Sequence, residues 1–243
     1  MKHRELNPLK TAVLIFCSIL LIFLGYQAFK MLSANLNFYQ AFQVEKIWKK
    51  NKSVSSAAQF EQALNDIEQS NLSHPNNPRY LVSQGLIYEW GGISKEFDEK
   101  KQKELLLQAK NHYLQAVALR PTWPVTWSAL AVLKWRLEEI DQEMIDFLEQ
   151  ADKFGQNTEV VHRAWLDVGF YIYKSKSIYS PQIITGLRKH LKLSMADTRR
   201  KIRRSTLEIV KRHNAELLLC SWSSNYSFDT SWYDKALCQS KTN

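Results

Sequence analysis

The sequence predicts an all-α protein, with one N-terminal transmembrane helix followed by an array of helical hairpins. Three observations carry that expectation. Residues 11–29 contain no charged side chain. No segment alternates apolar and polar residues long enough to make a strand. Pro75, Pro78, Pro121 and Pro124 fall where a proline starts or stops a helix rather than breaking its interior. Composition agrees. Of 243 residues, 45% are hydrophobic and 23% charged, with only 7 Gly and 6 Pro, which excludes collagen-like, low-complexity, disordered and turn-dense all-β chains. A negative mean hydropathy excludes a multi-span membrane protein. Three cysteines are too few for a disulfide-framed miniprotein.

The elements follow in chain order. Residues 1–10 form a basic N-terminus with Lys2, Arg4 and Lys10, and residues 11–29 form the span. Nineteen residues at about 1.5 Å each reach roughly 28 Å, enough for a hydrocarbon core of about 30 Å. A cleaved signal peptide would have a shorter apolar region and a small-x-small site. Here Leu32 stands two residues before Ala34, a poor cleavage context, so an uncleaved anchor is the better reading. Lys2, Arg4 and Lys10 precede the span and only Lys30 follows within residues 30–44, which puts the N-terminus inside. Extending the window to Lys46 and Lys49 makes a tie. The soluble portion is then expected outside the cytoplasm, which in a bacterium means a single pass through the inner membrane with a periplasmic C-terminal domain.

Residues 30–56 read as a helical linker in which Leu32, Leu36, Tyr39, Phe42 and Ile47 recur at three- and four-residue spacing. Residues 57–156 carry a repeat. Ala109, Tyr113, Ala116 and Pro121 follow A-x3-aromatic-x2-A-x4-P, after a helix with Leu81, Gly85 and Tyr88. Trp127, Leu130 and Ala131, then Met144, Leu148 and Ala151, form a second unit, and Ala63, Ile67, Ser70 and Pro75 close an earlier one. This pattern resembles the tetratricopeptide repeat, in which small residues let two antiparallel helices approach and an aromatic fills the gap. The chain departs from it in three places. Gly85 and Ala109 stand 24 residues apart where the family has 12, which places an insertion between Gly91 and about Lys103. Lys134 replaces an aromatic, and Gln156 replaces the proline. A generic helical-hairpin domain is the plainer alternative.

Residues 157–243 read as C-terminal helices with a basic helix and a Cys-containing tail. A helix is expected over 159–174, burying Trp165, Val168, Phe170 and Tyr171, and another begins at Ser180-Pro181. Residues 188–212 hold ten Lys or Arg against two acids, a net +8 of the chain's +9. Arg199, Arg200, Lys201, Arg203 and Arg204 form the basic patch, interleaved with Ile202, Leu207, Ile209 and Val210. That is an amphipathic helix with a basic face, for which anionic glycan or lipid headgroups are the fitting counterpart. Nucleic acid does not fit a periplasmic domain.

Chemistry leaves little trace. Nucleotide-binding loops, a nucleophile elbow and H-E-x-x-H are absent from the sequence. Histidines 74, 112, 162, 190 and 213 read as isolated, and Glu138, Glu139 and Asp141 as a solvated face. The expectation is no enzyme, no metal and no cofactor.

The order of features then matters: anchor, linker, PNNPRYLVSQGLIYEWGG from Pro75 to Gly92, and YLQAVALRPTWPVTWSALAVLKWRL from Tyr113 to Leu137. Tyr88-Glu89-Trp90 and Leu119-Arg120-Pro121-Thr122-Trp123-Pro124 resemble the VpsP family of polysaccharide biosynthesis proteins over roughly residues 35–150. The resemblance implies a non-catalytic accessory or scaffold protein of bacterial exopolysaccharide biosynthesis or export. Its partners would be other proteins of that assembly. By repeat register, Arg79, Val82, Leu86, Glu89, Val125, Ser128, Val132 and Trp135 line the expected partner groove, with Arg79 and Glu89 at its rim. The alternative is direct binding of glycan or anionic lipid through the basic helix and exposed Trp123, Trp222 and Trp232. Cys220 and Cys238 are the only cysteines after the span. A disulfide between them is expected in an oxidising compartment, and two reduced thiols in a cytoplasmic one.

Overall fold

The computed structural model describes residues 8–226, and every element among them is helical. Helix α1 runs unbroken through Pro8–Asn51, 44 residues or about 66 Å. Its most apolar 18-residue window has a mean hydropathy of 2.3 and is 0% buried, so it is long and apolar enough to cross a membrane. Beyond residue 30 the same helix enters the protein core. Ala34, Phe38, Ala41, Glu45 and Trp48 are buried, at the three- and four-residue steps of one helical face.

That face is not the one expected. Leu32, Leu36, Tyr39 and Ile47 are exposed, and Phe42 is half-buried. Both stripes are apolar at helical spacing. The small Ala34 and Ala41 win because they let α1 approach α2 (Ala57–Ser73) and α3 (Pro78–Gly92) closely. Ser56 caps α2 by accepting from the Gln59 N–H at 3.2 Å. Asn77 caps α3 the same way, ahead of Pro78 at its first turn.

Three more pairs follow. Helix α4 (Glu99–Leu119) packs on α3, α6 (Gln142–Gly155) on α5 (Pro124–Arg136), and α8 (Ser180–Ala196) on α7 (Glu159–Lys174). Helices α9 (Arg200–Arg212) and α10 (Glu216–Tyr226) close the order. The expected tail therefore begins as a helix, while residues 227–243 lie outside the described part. Contacts also run from α1 to α3, from α5 to α7 and from α7 to α9, while the α3–α4 pair meets the next one through α4 on α5. Hairpin packing continues beyond Gly155, where the sequence repeat fades.

The expected insertion is divided between a short loop, residues 93–98, and a long α4 of 21 residues. Asp98 caps α4 by accepting from the Lys101 N–H at 2.8 Å. The α3–α4 pair is locked by Gly85, where an added Cβ would lie 2.7 Å from the Tyr113 ring. Ala109 and Ala116 are fully buried beside it. The α5, α7 and α9 ends share another device. Each turns through a non-glycine residue in the left-handed region: Glu138 at φ 60°, Lys176 at φ 52° and Asn214 at φ 47°. In the first and last, the N–H one residue later returns to the carbonyl five residues back, Glu139 to Lys134 and Ala215 to Val210, as in a Schellman turn.

Candidate partner-binding surfaces

The eight expected groove residues lie on α3 and α5, but they do not form one open trough. Arg79 is exposed, with its guanidinium 4.6 Å from the centroid of the Phe38 ring of α1. Val82, Leu86, Val125 and Val132 are half-buried, and Ser128 is buried. Trp135 packs on Tyr171 of α7 at 5.8 Å and on His213 at 6.2 Å between ring centroids. The C-terminal helices therefore cover that end.

Glu89 is not at a rim. It is 7% exposed, accepts from the Tyr113 hydroxyl at 2.6 Å and pairs with Arg136 of α5. Burial and the adjacent carboxylate hold the Tyr113 phenol well above its usual range. Spacing placed Glu89 correctly on a helix face, but the long α4 and the Arg136 side chain close over it. A separate cleft of about 420 Å³ opens between α2 and α4, lined among others by Phe60, Leu64, Tyr88 and Leu105 with Glu61 and Lys101 at its polar edge.

The acids read as a solvated face hold a buried cation. Lys134, whose side chain is 2% exposed, reaches Asp141 at 2.7 Å, Glu139 at 3.1 Å and Glu143. Burial alone would push the ammonium pKa down; the three carboxylates overcome that and hold it raised. Asp141 also accepts from the Met144 N–H at 3.1 Å, capping α6. Glu139, Asp141 and Glu143 lie close enough to hold a metal ion, yet Lys134 supplies the positive charge at that point.

Two histidines that look isolated meet in the interior. His162 of α7 and His190 of α8 face each other with 2.9 Å between Nδ1 atoms. One ring must donate and the other accept, so at least one Nδ1 is unprotonated. Trp165 stacks on His190 with 5.2 Å between centroids. His190 Nε2 lies 3.1 Å from Asp152 Oδ1, near enough to feel the carboxylate although out of line for a hydrogen bond. Burial pushes His190 down to about 4, with Asp152 only partly opposing it. His162 is lowered too, by burial first. Residues 28 positions apart carry no local spacing signal, so only the α7–α8 packing reveals the pair.

The basic patch is a surface. Arg199, Arg200, Lys201 and Arg204 are exposed and Arg203 is half-buried, while Ile202, Thr206, Ile209 and Val210 face the core. Among the expected exposed aromatics, Trp222 is buried at 4% and Trp123 is half-buried under Arg120. Trp232 and Cys238 lie outside the described residues, so the expected Cys220–Cys238 pairing falls outside them as well. No protein-family model matches the chain, and no curated protein matches it.

Proposed function

We propose that the chain is a membrane-anchored, non-catalytic scaffold whose tetratricopeptide-like hairpins hold a partner protein beside the bilayer. One observation carries this reading. The apolar, fully exposed part of α1 and the part buried against α2 and α3 belong to one unbroken helix. An anchor on a flexible linker only limits diffusion. One that is also a core helix fixes the orientation of the array relative to the membrane. The Gly85–Tyr113 lock, the small buried Ala109 and Ala116, and the α1–α3, α5–α7 and α7–α9 contacts support tetratricopeptide-like units. The partner surface is the half-buried apolar strip of Val82, Leu86, Val125 and Val132 with Arg79 at its edge, narrower than spacing alone implies. It suits an amphipathic peptide.

The potential acid–base groups support a structural role. Glu89, Asp141 and the His162–His190 pair are each engaged inside the fold. The resemblance over residues 35–150 is the support for a role of the scaffold in bacterial exopolysaccharide assembly or export. The basic N-terminus orients it with Met1 cytoplasmic and the array periplasmic.

Protease added to intact spheroplasts tests the topology. Residues 40–243 should be degraded, and their survival while the membrane is intact reverses the orientation. Mapping of non-reduced peptides should join Cys220 to Cys238, and two free thiols would argue for the cytoplasm. Leu86→Glu with Val125→Glu tests the strip. Polymer export should fall about tenfold with unchanged protein level and helicity, and unchanged export removes the strip from the proposal.

A further inference from the structure

Helix α9 breaks two local rules of helix stability. Its first turn holds Arg200 and Lys201 and no acid, although the positive end of the helix dipole favours anions there. Arg200 and Arg204 stand four residues apart on one face, where like charges repel. Lys211, seven residues further, lies on the same face by helical geometry. All three are exposed, and none forms an ion pair among the described residues. Neighbouring cations are neutralised instead: Arg199 by Asp197 at 2.7 Å, Lys201 by Glu159 at 3.1 Å and Arg212 by Asp167 at 2.9 Å. Glu208, four residues after Arg204 and three before Lys211, is exposed on the same face and offsets one of the three charges, which leaves the face a net +2. An excess charge left without a partner inside the fold is the physical reason to look for an external one.

We propose that the Arg200–Arg204–Lys211 face of α9 rests on the anionic headgroups of the bilayer that α1 enters. Charge complementarity selects an anionic counterpart. The anchor selects the bilayer, because a tethered face meets its own membrane at a high effective concentration. The face has no insertion wedge, since Ile202, Ile209 and Val210 all point into the core. The contact is therefore electrostatic, salt-sensitive and indifferent to headgroup shape, unlike amphipathic-helix insertion. Together with α1 it makes a two-point attachment that holds the far end of the array down on the surface. This inference depends on membrane anchoring and not on the identity of the scaffold's partner.

The full chain in nanodiscs tests it by amide hydrogen exchange over residues 199–214. Discs of neutral phosphatidylcholine are compared with discs containing about one third phosphatidylglycerol. In 50 mM salt the anionic discs should protect α9, and 500 mM salt should remove that protection. Arg200→Gln, Arg204→Gln and Lys211→Gln together should lower the contact equilibrium roughly a hundredfold, from the typical contribution of each basic residue near a charged surface. The variant with lysine at 200 and 204 should restore protection, because charge and not guanidinium geometry is read. Unchanged exchange in α3 and α4 reports that the variants are folded. Equal exchange of α9 in neutral and anionic discs overturns the proposal. So does protection that appears in neutral discs only when polygalacturonate is added, which would assign the face to an acidic polymer.

Discussion

The molecule has two hydrophobic cores, built differently around a shared wall. The first joins the second half of α1 to α2 and α3 and is aromatic. Phe38 stacks on Tyr80 at 5.2 Å, and Phe60 meets Trp48 at 6.4 Å and Phe97 at 5.1 Å between centroids. The second spans α4 to α10 and is largely aliphatic. Adjacent residues of α4 divide between them, Leu105 facing the first and Leu106 the second. Each core holds a titratable site that burial drives toward its neutral form. The first buries Glu45 of α1, which accepts a hydrogen bond from the Ser83 hydroxyl of α3. The second buries the His162–His190 pair. The core carrying the anchor thus favours a neutral acid and the distal core a neutral base, so proton concentration acts on the two ends in opposite directions.

The largest expected effect asks whether the cores are separate cooperative units. Phe60 is 1% exposed and meets the Trp48 and Phe97 rings of the first core. Phe60→Ala should cost about 3–5 kcal/mol, the usual range for a buried phenylalanine. Hydrogen exchange should then rise across α2, α3 and the second half of α1, leaving α7 and α8 protected. A uniform rise would make the protein one cooperative unit and end the comparison.

The opposite pH responses come next. Burial raises Glu45 to about 7 from 4.5, partly opposed by the Ser83 hydroxyl and by Lys49. The folded state then binds more protons than the unfolded one between those values. Stability from this group is complete below pH 4.5, falls as pH rises toward 7, and is level above. At 1.36 kcal/mol per pKa unit the full loss is about 3 kcal/mol. Glu45→Gln should restore most of it at pH 8 and little at pH 4.5, read by denaturant midpoints. His190, depressed to about 4 from 6.5, runs the other way. Its contribution is present above pH 6.5 and is lost as pH falls toward 4. Burial sets that depression; Asp152 opposes it, and His162 and Lys189 add to it. A His190→Gln chain should lose that acid limb while keeping the Glu45 limb. Superimposed pH profiles for both variants and the parent would sink the assignment.

How much of this was legible depended on range along the chain. The helix over 159–174 and the start at Ser180 emerge as expected, because an apolar period and a proline are both local signals. The apolar span is equally local. The buried face of α1 was misread: with apolar residues on two stripes, period alone does not say which one a neighbour will cover. Glu89 was expected at a rim because nothing nearby in sequence announces Arg136, and nothing local marks Glu45 as the partner of Ser83. The histidine pair was invisible for the same reason. Lys134 registered only as a departure from an aromatic position, whereas the acids that receive it were read separately as solvent-facing.

That lysine gives the next effect in size. Lys134→Ala leaves Glu139, Asp141 and Glu143 facing one another with only Lys110 nearby. Removing one partner of a fully buried pair costs roughly 3–5 kcal/mol. These carboxylates are 37–47% exposed, so water screens much of that, and about 1–3 kcal/mol is expected. Burial opposes the shift in Asp141, but Lys134 prevails and holds it low; Lys134 is the main cause for Glu143. Their contribution is therefore present above about pH 4 and lost below it. The Lys134→Ala chain should lose the parent's steepening in that window. An unchanged acid limb would show that the cluster is not coupled to folding.

The smallest effect probes the left-handed turns at the ends of α5, α7 and α9, a device that Lys52 at φ 58° and Asn76 at φ 62° also supply beside the first core. Glu138 and Lys176 occupy left-handed backbone where a side chain costs about 1–2 kcal/mol. Glycine removes that strain but returns about 0.4–1 kcal/mol through the entropy of the unfolded chain. Glu138→Gly and Lys176→Gly should each stabilise by roughly 0.5–1 kcal/mol, the balance of those two costs. Asn214→Gly should gain less, because asparagine already tolerates that region. The α3–α4 connection supplies the control. Its loop, residues 93–98, contains no positive-φ residue, so Lys95→Gly should be neutral or slightly destabilising. If all four substitutions lowered the unfolding midpoint alike, only the entropy that glycine adds to the unfolded chain would be acting, and the left-handed residues would carry no strain. The shared turn would then be a coincidence of backbone shape and not a repeated feature of the array.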